Sequence, residues 1–143
     1  MATYDETKVL RALVAWLKTV SFSPALPIAW PNVDFDPPSE ATWLRATWLP
    51  AETAPATLGE GGENRHSGLF QVDVFVPLEI GHIVPTEYAG AIARAFKRGS
   101  DFTSDGVTVR VVTPPSVLTG YKQPPWYGVP VRIRYFADIP NPS

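Results

Sequence analysis

Sixteen prolines in 143 residues constrain this chain more than any other feature of it. The frequency is about twice the usual one, and the prolines cluster between residues 24 and 55 and between 114 and 142. A proline in a helix interior removes a backbone donor and collides with the preceding turn. The two proline-rich stretches are therefore expected as extended strands and loops, which leaves little room for helix.

Two helices fit that room. Thr3 and Glu6 have capping-box spacing, and Val9, Leu10, Leu13, Val14, Leu17 and Val20 recur at intervals of three and four, which predicts an amphipathic helix ending near Ser21, ahead of Pro24 and Pro27. Residues Thr86–Arg98 carry Tyr88, Ile92, Ala95 and Phe96 at helical spacing. They close on Lys97, Arg98 and Gly99, the charge and glycine expected at a helix C-terminus.

Strands are read from alternation. Ile28 to Trp30 is a short strand at best. TWLRATWLP at Thr42–Pro50 puts Trp43, Arg45, Thr47 and Leu49 on one face and Leu44, Ala46 and Trp48 on the other. From Ser67, Phe70, Val72, Val74 and Val76 alternate with Leu69, Gln71, Asp73 and Phe75. After the Asp105-Gly106 turn comes Val107, Val109, Val111, and then Val129, Val131, Ile133, Tyr135 with Arg132 and Arg134 facing outward. The expected fold is α+β, in the order α-β-β-β-α-β-β, with both helices covering one face of a mainly antiparallel sheet. Residues 51–64 (AETAPATLGEGGEN) hold three glycines and few large apolar side chains, so they are expected as a long flexible loop within one domain spanning 1–143.

Composition bounds the function. Apolar residues make up 45% and charged residues 18%, a globular balance, and the net charge of -2 gives no general attraction to phosphate backbones. Charge is segregated along the chain: Asp34, Asp36, Glu40, Glu52, Glu60 and Glu63 face only Arg45 between residues 34 and 64, whereas residues 94 to 134 hold seven bases against Asp101 and Asp105. Without cysteine there is no disulfide, thiolate nucleophile or cysteine zinc site, which suits assembly in a reducing cytoplasm. No secretion-signal order and no apolar run of roughly 20 residues is present, so the expectation is a soluble, unprocessed protein with no membrane partner.

Catalytic chemistry is not assembled by these residues. His66 and His82 lie apart, outside any zinc-binding pattern, and are read as structural. Asp34 and Asp36 in VDFDPP have the spacing of a metal or acid/base pair, but also of a strand entering the turn before Pro37, and the second reading is preferred. GEGG at Gly59–Gly62 lacks the lysine and hydroxyl residue of a phosphate loop, and Ser67 precedes a strand rather than a helix, unlike a nucleophile elbow. Trp16, Trp30, Trp43, Trp48 and Trp126 are scattered over different elements and read as packing rather than as a stacking platform. Leu69, Phe75 and Phe136 on outward strand positions exceed the needs of one small domain and point to burial against another subunit. The expectation is no enzyme, no metal and no cofactor.

Taken in order, LPIAWPNVDFDPP (Leu26–Pro38), WLRATWLPAE (Trp43–Glu52), GLFQVDVFVPLEIG (Gly68–Gly81), AFKRG (Ala95–Gly99) and WYGVPVRIRYFAD (Trp126–Asp138) resemble the tail-terminator-like proteins of siphophages nearly end to end. The resemblance implies a ring, typically a hexamer, in the virion at the head-proximal end of the tail, after assembly in the host cytoplasm. Such a ring caps the tail tube, ends its polymerisation and offers a joining surface to the head connector or neck protein, while DNA passes its channel without specific binding. A neck or head-tail completion protein is the adjacent alternative; a prophage-borne ligand-binding module and a small hydrolase or nuclease are the more distant ones. Glu52, Glu60 and Glu63 are the candidates for an acidic or neutral channel wall. Asp73 is expected to face Arg132 or Arg134 across the sheet and to mark, with them, a subunit interface.

Overall fold

A computed structural model describes residues 4–142. Helix α1 (Asp5–Lys18) begins after Tyr4 and stops at Thr19, before the first proline, as the periodicity requires. The Thr3 cap expected for it lies outside the described residues. Val9, Ala12, Leu13 and Leu17 form its buried stripe. Helix α2 (Ile83–Ala95) begins and ends about three residues earlier than expected. Pro85 is accommodated in its first turn, where the missing N–H has no partner to lose, and Gly99 takes its positive φ of 86° in the connection after the helix.

The strands are β1 (Ile28–Ala29), β2 (Trp43–Pro50), β3 (Ala54–Pro55), β4 (Glu63–Pro77), β5 (Asp101–Ser104), β6 (Val107–Val111), β7 (Ser116–Val117), β8 (Tyr121–Gln123) and β9 (Trp126–Pro140). The fold is α+β, but the simple order expected from alternation is replaced by one with four strands before α2 and five after it. The sheet is mixed, because β1 runs parallel to β2, and its main path is β1-β2-β4-β9-β6-β5. The additional short strands exist through pairing: β3 lies on β4, and β8, β7 and β6 follow one another along the far edge of β9. Asp105 and Gly106, both at positive φ, make the tight turn between β5 and β6.

Strands β4 and β9 pair over their whole length, from Glu63 opposite Pro140 to Pro77 opposite Trp126. Pro130 sits in this central ladder without breaking it. Its carbonyl accepts from the Leu118 N–H on the far side of β9, so the N–H it lacks belongs to that side too, where β9 passes from pairing with β8 to pairing with β7. Both helices lie over one face of the sheet. There Leu44 and Ala46 (β2), Phe70, Val72 and Val74 (β4), and Val131, Ile133 and Tyr135 (β9) meet the apolar stripes of α1 and α2. Trp16 ties the helices together, its indole N–H donating to the Ala95 carbonyl at 2.8 Å while its ring stacks on Phe102 at 5.1 Å. No helix among the described residues is long and apolar enough to cross a membrane.

Residues 51–64 form an arm continuous with the sheet. Ala54 and Pro55 pair with Arg65 and Asn64, and the Ala56 N–H donates to the Glu63 carbonyl. At the tip, Gly62 N–H bonds Gly59 O, Glu63 N–H bonds the Thr57 hydroxyl at 2.7 Å, and the Asn141 amide donates to Glu60 O at 2.9 Å.

Candidate assembly interface

The face of the sheet opposite the helices is built by the other half of each strand's alternation, and the register arranges it in rungs. Trp43, Phe75 and Gly128 form the first, Arg45, Asp73 and Pro130 the second, Thr47, Gln71 and Arg132 the third, and Leu49, Leu69 and Arg134 the fourth. Beyond these, Ser67 opposes Phe136 and Arg65 opposes Asp138.

The first rung is closed by the chain itself. Trp43 stacks on Phe75 at 4.4 Å, with Phe35, Tyr121 and Trp126 packed around them. Gly128 is required there, because a Cβ would lie 2.7 Å from the Phe75 ring. Phe75, expected at a subunit interface, is thus buried within its own chain.

In the second rung Asp73 is 1% exposed. Its partner is Arg45, with Nη2 3.4 Å from Oδ2, and the same guanidinium donates to the Tyr121 hydroxyl at 3.0 Å and lies over the Phe75 ring. Burial first, and then the nearby Asp73 carboxylate, push the Tyr121 phenol above its ordinary value. The expected direct contact of Asp73 with Arg132 or Arg134 is not made. Aligning Val72 with Val131 and Phe70 with Ile133 on the core side puts Pro130 opposite Asp73, so Arg132 comes one rung further along. Gln71 bridges the two: its amide nitrogen donates to Asp73 at 3.2 Å and its oxygen accepts from Arg132 Nε at 3.1 Å.

The remaining rungs are open. Arg132 and Arg134 are exposed, and among the described residues neither has a carboxylate within ion-pair distance. Arg110 on β6 stands beside Phe136. Arg65 grips Asp138 through two bonds of 2.8 and 2.9 Å and lies over the Phe136 ring at 4.5 Å. Hydrogen bonding to Arg65 is the main cause that holds the Asp138 carboxyl below its usual value; partial burial opposes it, and the charges of Arg65 and Arg110 add to it. Among these groups lies a hollow of about 490 Å³, lined by Leu49, Leu69, Val112 and Phe136 and by Arg65 and Arg134.

The acidic candidates lie elsewhere. Glu52, Glu60 and Glu63 are all exposed on the arm, and Leu58 at its tip is 95% exposed. The structure thus brings Asp73 and Arg132 together through Gln71 and keeps Arg134 one rung further on, and among the described residues none of the three forms an ion pair with the arm's acids. Arg45 and Gln71 were visible in the sequence as outward strand positions, but Tyr121 carried no signal, since its strand exists only by pairing. Asp34 and Asp36 are exposed, and among the described residues no group of three or more His, Cys, Asp or Glu is placed to hold a metal.

The pattern of a family described as phage tail terminator protein matches residues 8–135. No curated protein matches the chain. A solved structure is similar over 92% of this chain and 92% of its own, at 30% identity and a TM-score of 0.70. With that family match running from the first helix into the last strand, the chain belongs to the phage tail terminator protein family.

Proposed function

We propose that this protein closes the tail tube as a homo-oligomeric ring, a hexamer, at the head-proximal end of the tail, ends tube polymerisation and presents the joining surface to the head connector. Membership in a structural family of the phage tail makes it a virion component, and the ring, its stoichiometry and its position are our reading. The observation that carries it is the open sheet face, where Arg132, Arg134, Leu49 and Val112 are exposed and Leu69 and Phe136 are only half-buried. Apolar and cationic groups side by side on a flat face suit a partner subunit better than solvent. In this reading the chain has no enzymatic role, and DNA passes through without base-specific contacts.

Two measurements test it. Native mass of the purified protein should show a closed ring, either alone or on tail tubes. Tail-tube subunits polymerised without this protein should grow to uncontrolled length, and its addition should stop growth at once. Tubes that elongate past the added protein would remove the terminator role. Binding to the connector without any effect on tube length would favour the neck-protein reading instead.

A further inference from the structure

The arm and the open face are complementary, and we infer that the arm of one copy seats on the open face of the next, with Leu58 in the hollow and the arm's acids against its arginines. This deepens the ring proposal and rests on it. The arm offers one large apolar side chain, Leu58, almost wholly exposed, flanked by Glu52, Glu60 and Glu63 with no base between residues 51 and 63. The face offers a hollow of about 490 Å³ lined by Leu49, Leu69, Val112 and Phe136 together with Arg134, which has no carboxylate partner among the described residues, and Arg65, which is already paired with Asp138; Arg132 stands one rung away. Seating an apolar side chain in a hollow removes it from water, and opposite charges paired beside it set orientation and specificity.

The arm cannot fill its own hollow. Pro50, Ala51, Ser67 and Gly68 at the root of the arm line that hollow, and from there the ladder between β4 and β9 continues without a break to Glu63 and Pro140, carrying the tip away from it. The tip is also held in one shape by the bonds from Asn141 to Glu60 and Gly62 and from Glu63 to Thr57, so little ordering is required on seating. Arm and hollow are different surfaces of one chain, so the contact is head-to-tail, and repeated contacts of that type close into a ring when the rotation permits.

The absence of cysteine makes the test direct. Leu58→Cys and Leu69→Cys proteins, each carrying one cysteine, are mixed and oxidised. A 58–69 disulfide between two copies is the expected product, and neither protein alone should give it. In parallel, Leu58→Asp and Arg134→Glu should each abolish the ring by native mass while keeping the wild-type melting temperature, because both side chains are exposed. Glu60→Arg combined with Arg134→Glu should restore part of it. A ring that forms normally in Leu58→Asp, with no 58–69 crosslink, overturns the arm contact and leaves the ring proposal standing. A wild-type protein that stays monomeric, alone and with tail tubes, and gives no crosslink overturns both. A crosslinked chain without a closed ring keeps the arm contact and removes the ring.

Discussion

Replacing Asp73 by alanine removes the one charged side chain buried among the described residues. Breaking a fully buried ion pair costs about 3 to 5 kcal/mol, because the surviving charge is left without water or partner. Here the surviving Arg45 side chain is 37% exposed and the pair is long at 3.4 Å, so the cation recovers part of its hydration. Gln71, however, loses the acceptor for its amide nitrogen, which lies 3.2 and 3.4 Å from the two carboxylate oxygens. The loss therefore falls to the cost of leaving buried polar groups unsatisfied, about 1 to 3 kcal/mol, which lowers the melting temperature by roughly 3 to 10 °C for a chain of this length. The assay is thermal unfolding in a Leu58→Asp background, so that folding is measured apart from assembly. Arg45→Ala and the double variant complete a cycle, and the double variant should lose less than the two single losses added together. A melting temperature within about 1 °C of the parent for Asp73→Ala, or strictly additive losses, would refute the structural role of the pair. Asp73 is expected from sequence at a subunit interface, but its burial within its own chain puts the effect of its removal on folding.

Three further outcomes are expected. Gly68→Ala should disrupt the root of the arm, because the added Cβ would stand 2.5 Å from the Leu49 carbonyl oxygen and 2.9 Å from Pro50 Cα, backbone that cannot give way without parting β2 from β4; circular dichroism should show a loss of about 1 to 3 kcal/mol or more in stability. The Asp138 carboxyl should titrate below the ordinary aspartate range, and Arg65→Gln should bring it part of the way back, as followed by carboxyl NMR. Since its folded value is depressed, the stability it contributes is present above the unfolded value and disappears as pH falls through the folded one. Amides of Glu60 and Gly61, exposed at the tip, should exchange quickly in the monomer and slow down in the ring, where the neighbouring face covers them; equal rates in the two states would count against that cover.

What the sequence made legible is what one strand or helix decides by itself. Val9, Leu13 and Leu17 mark α1, and Phe70, Val72 and Val74 mark β4, because their periodicity is a direct imprint of the face each element buries. The ends of the long strands were hidden. Glu63–Ser67 has no apolar alternation, and its strand conformation comes from pairing with the end of β9. Pro130 lies inside the strand that alternation marks, and what tolerates it there, the change of neighbour along β9, is not written in the sequence. The Asp73 partner was illegible for a related reason: which arginine stands opposite depends on a register that three chain segments settle jointly on the core side. Leu58 stood inside a stretch that composition reads as loop, and its isolation at the tip of a strand-rooted arm is a fact of three dimensions.

The open face poses a problem that the arm contact resolves. Arg110, Arg132 and Arg134 stand exposed on one side of the sheet, and Arg132 and Arg134 have no carboxylate partner among the described residues. In a channel that must pass DNA, such a group would hold phosphate, since each neutralised phosphate releases counterions and favours binding. In the arm contact we propose, the acidic arm of a neighbour covers those arginines and takes them out of the path, with Glu60 serving as a subunit contact. The consequence is measurable. The monomeric Leu58→Asp protein should bind duplex DNA weakly at low salt, with log affinity falling against log salt at a slope of about 2 to 3, the number of arginines left open. The assembled wild-type ring should bind far less at the same subunit concentration, and Arg132→Ala with Arg134→Ala should remove most of the monomer's binding. If the ring binds DNA as well as the monomer does, the arginines remain exposed after assembly, and the arm covers some other surface.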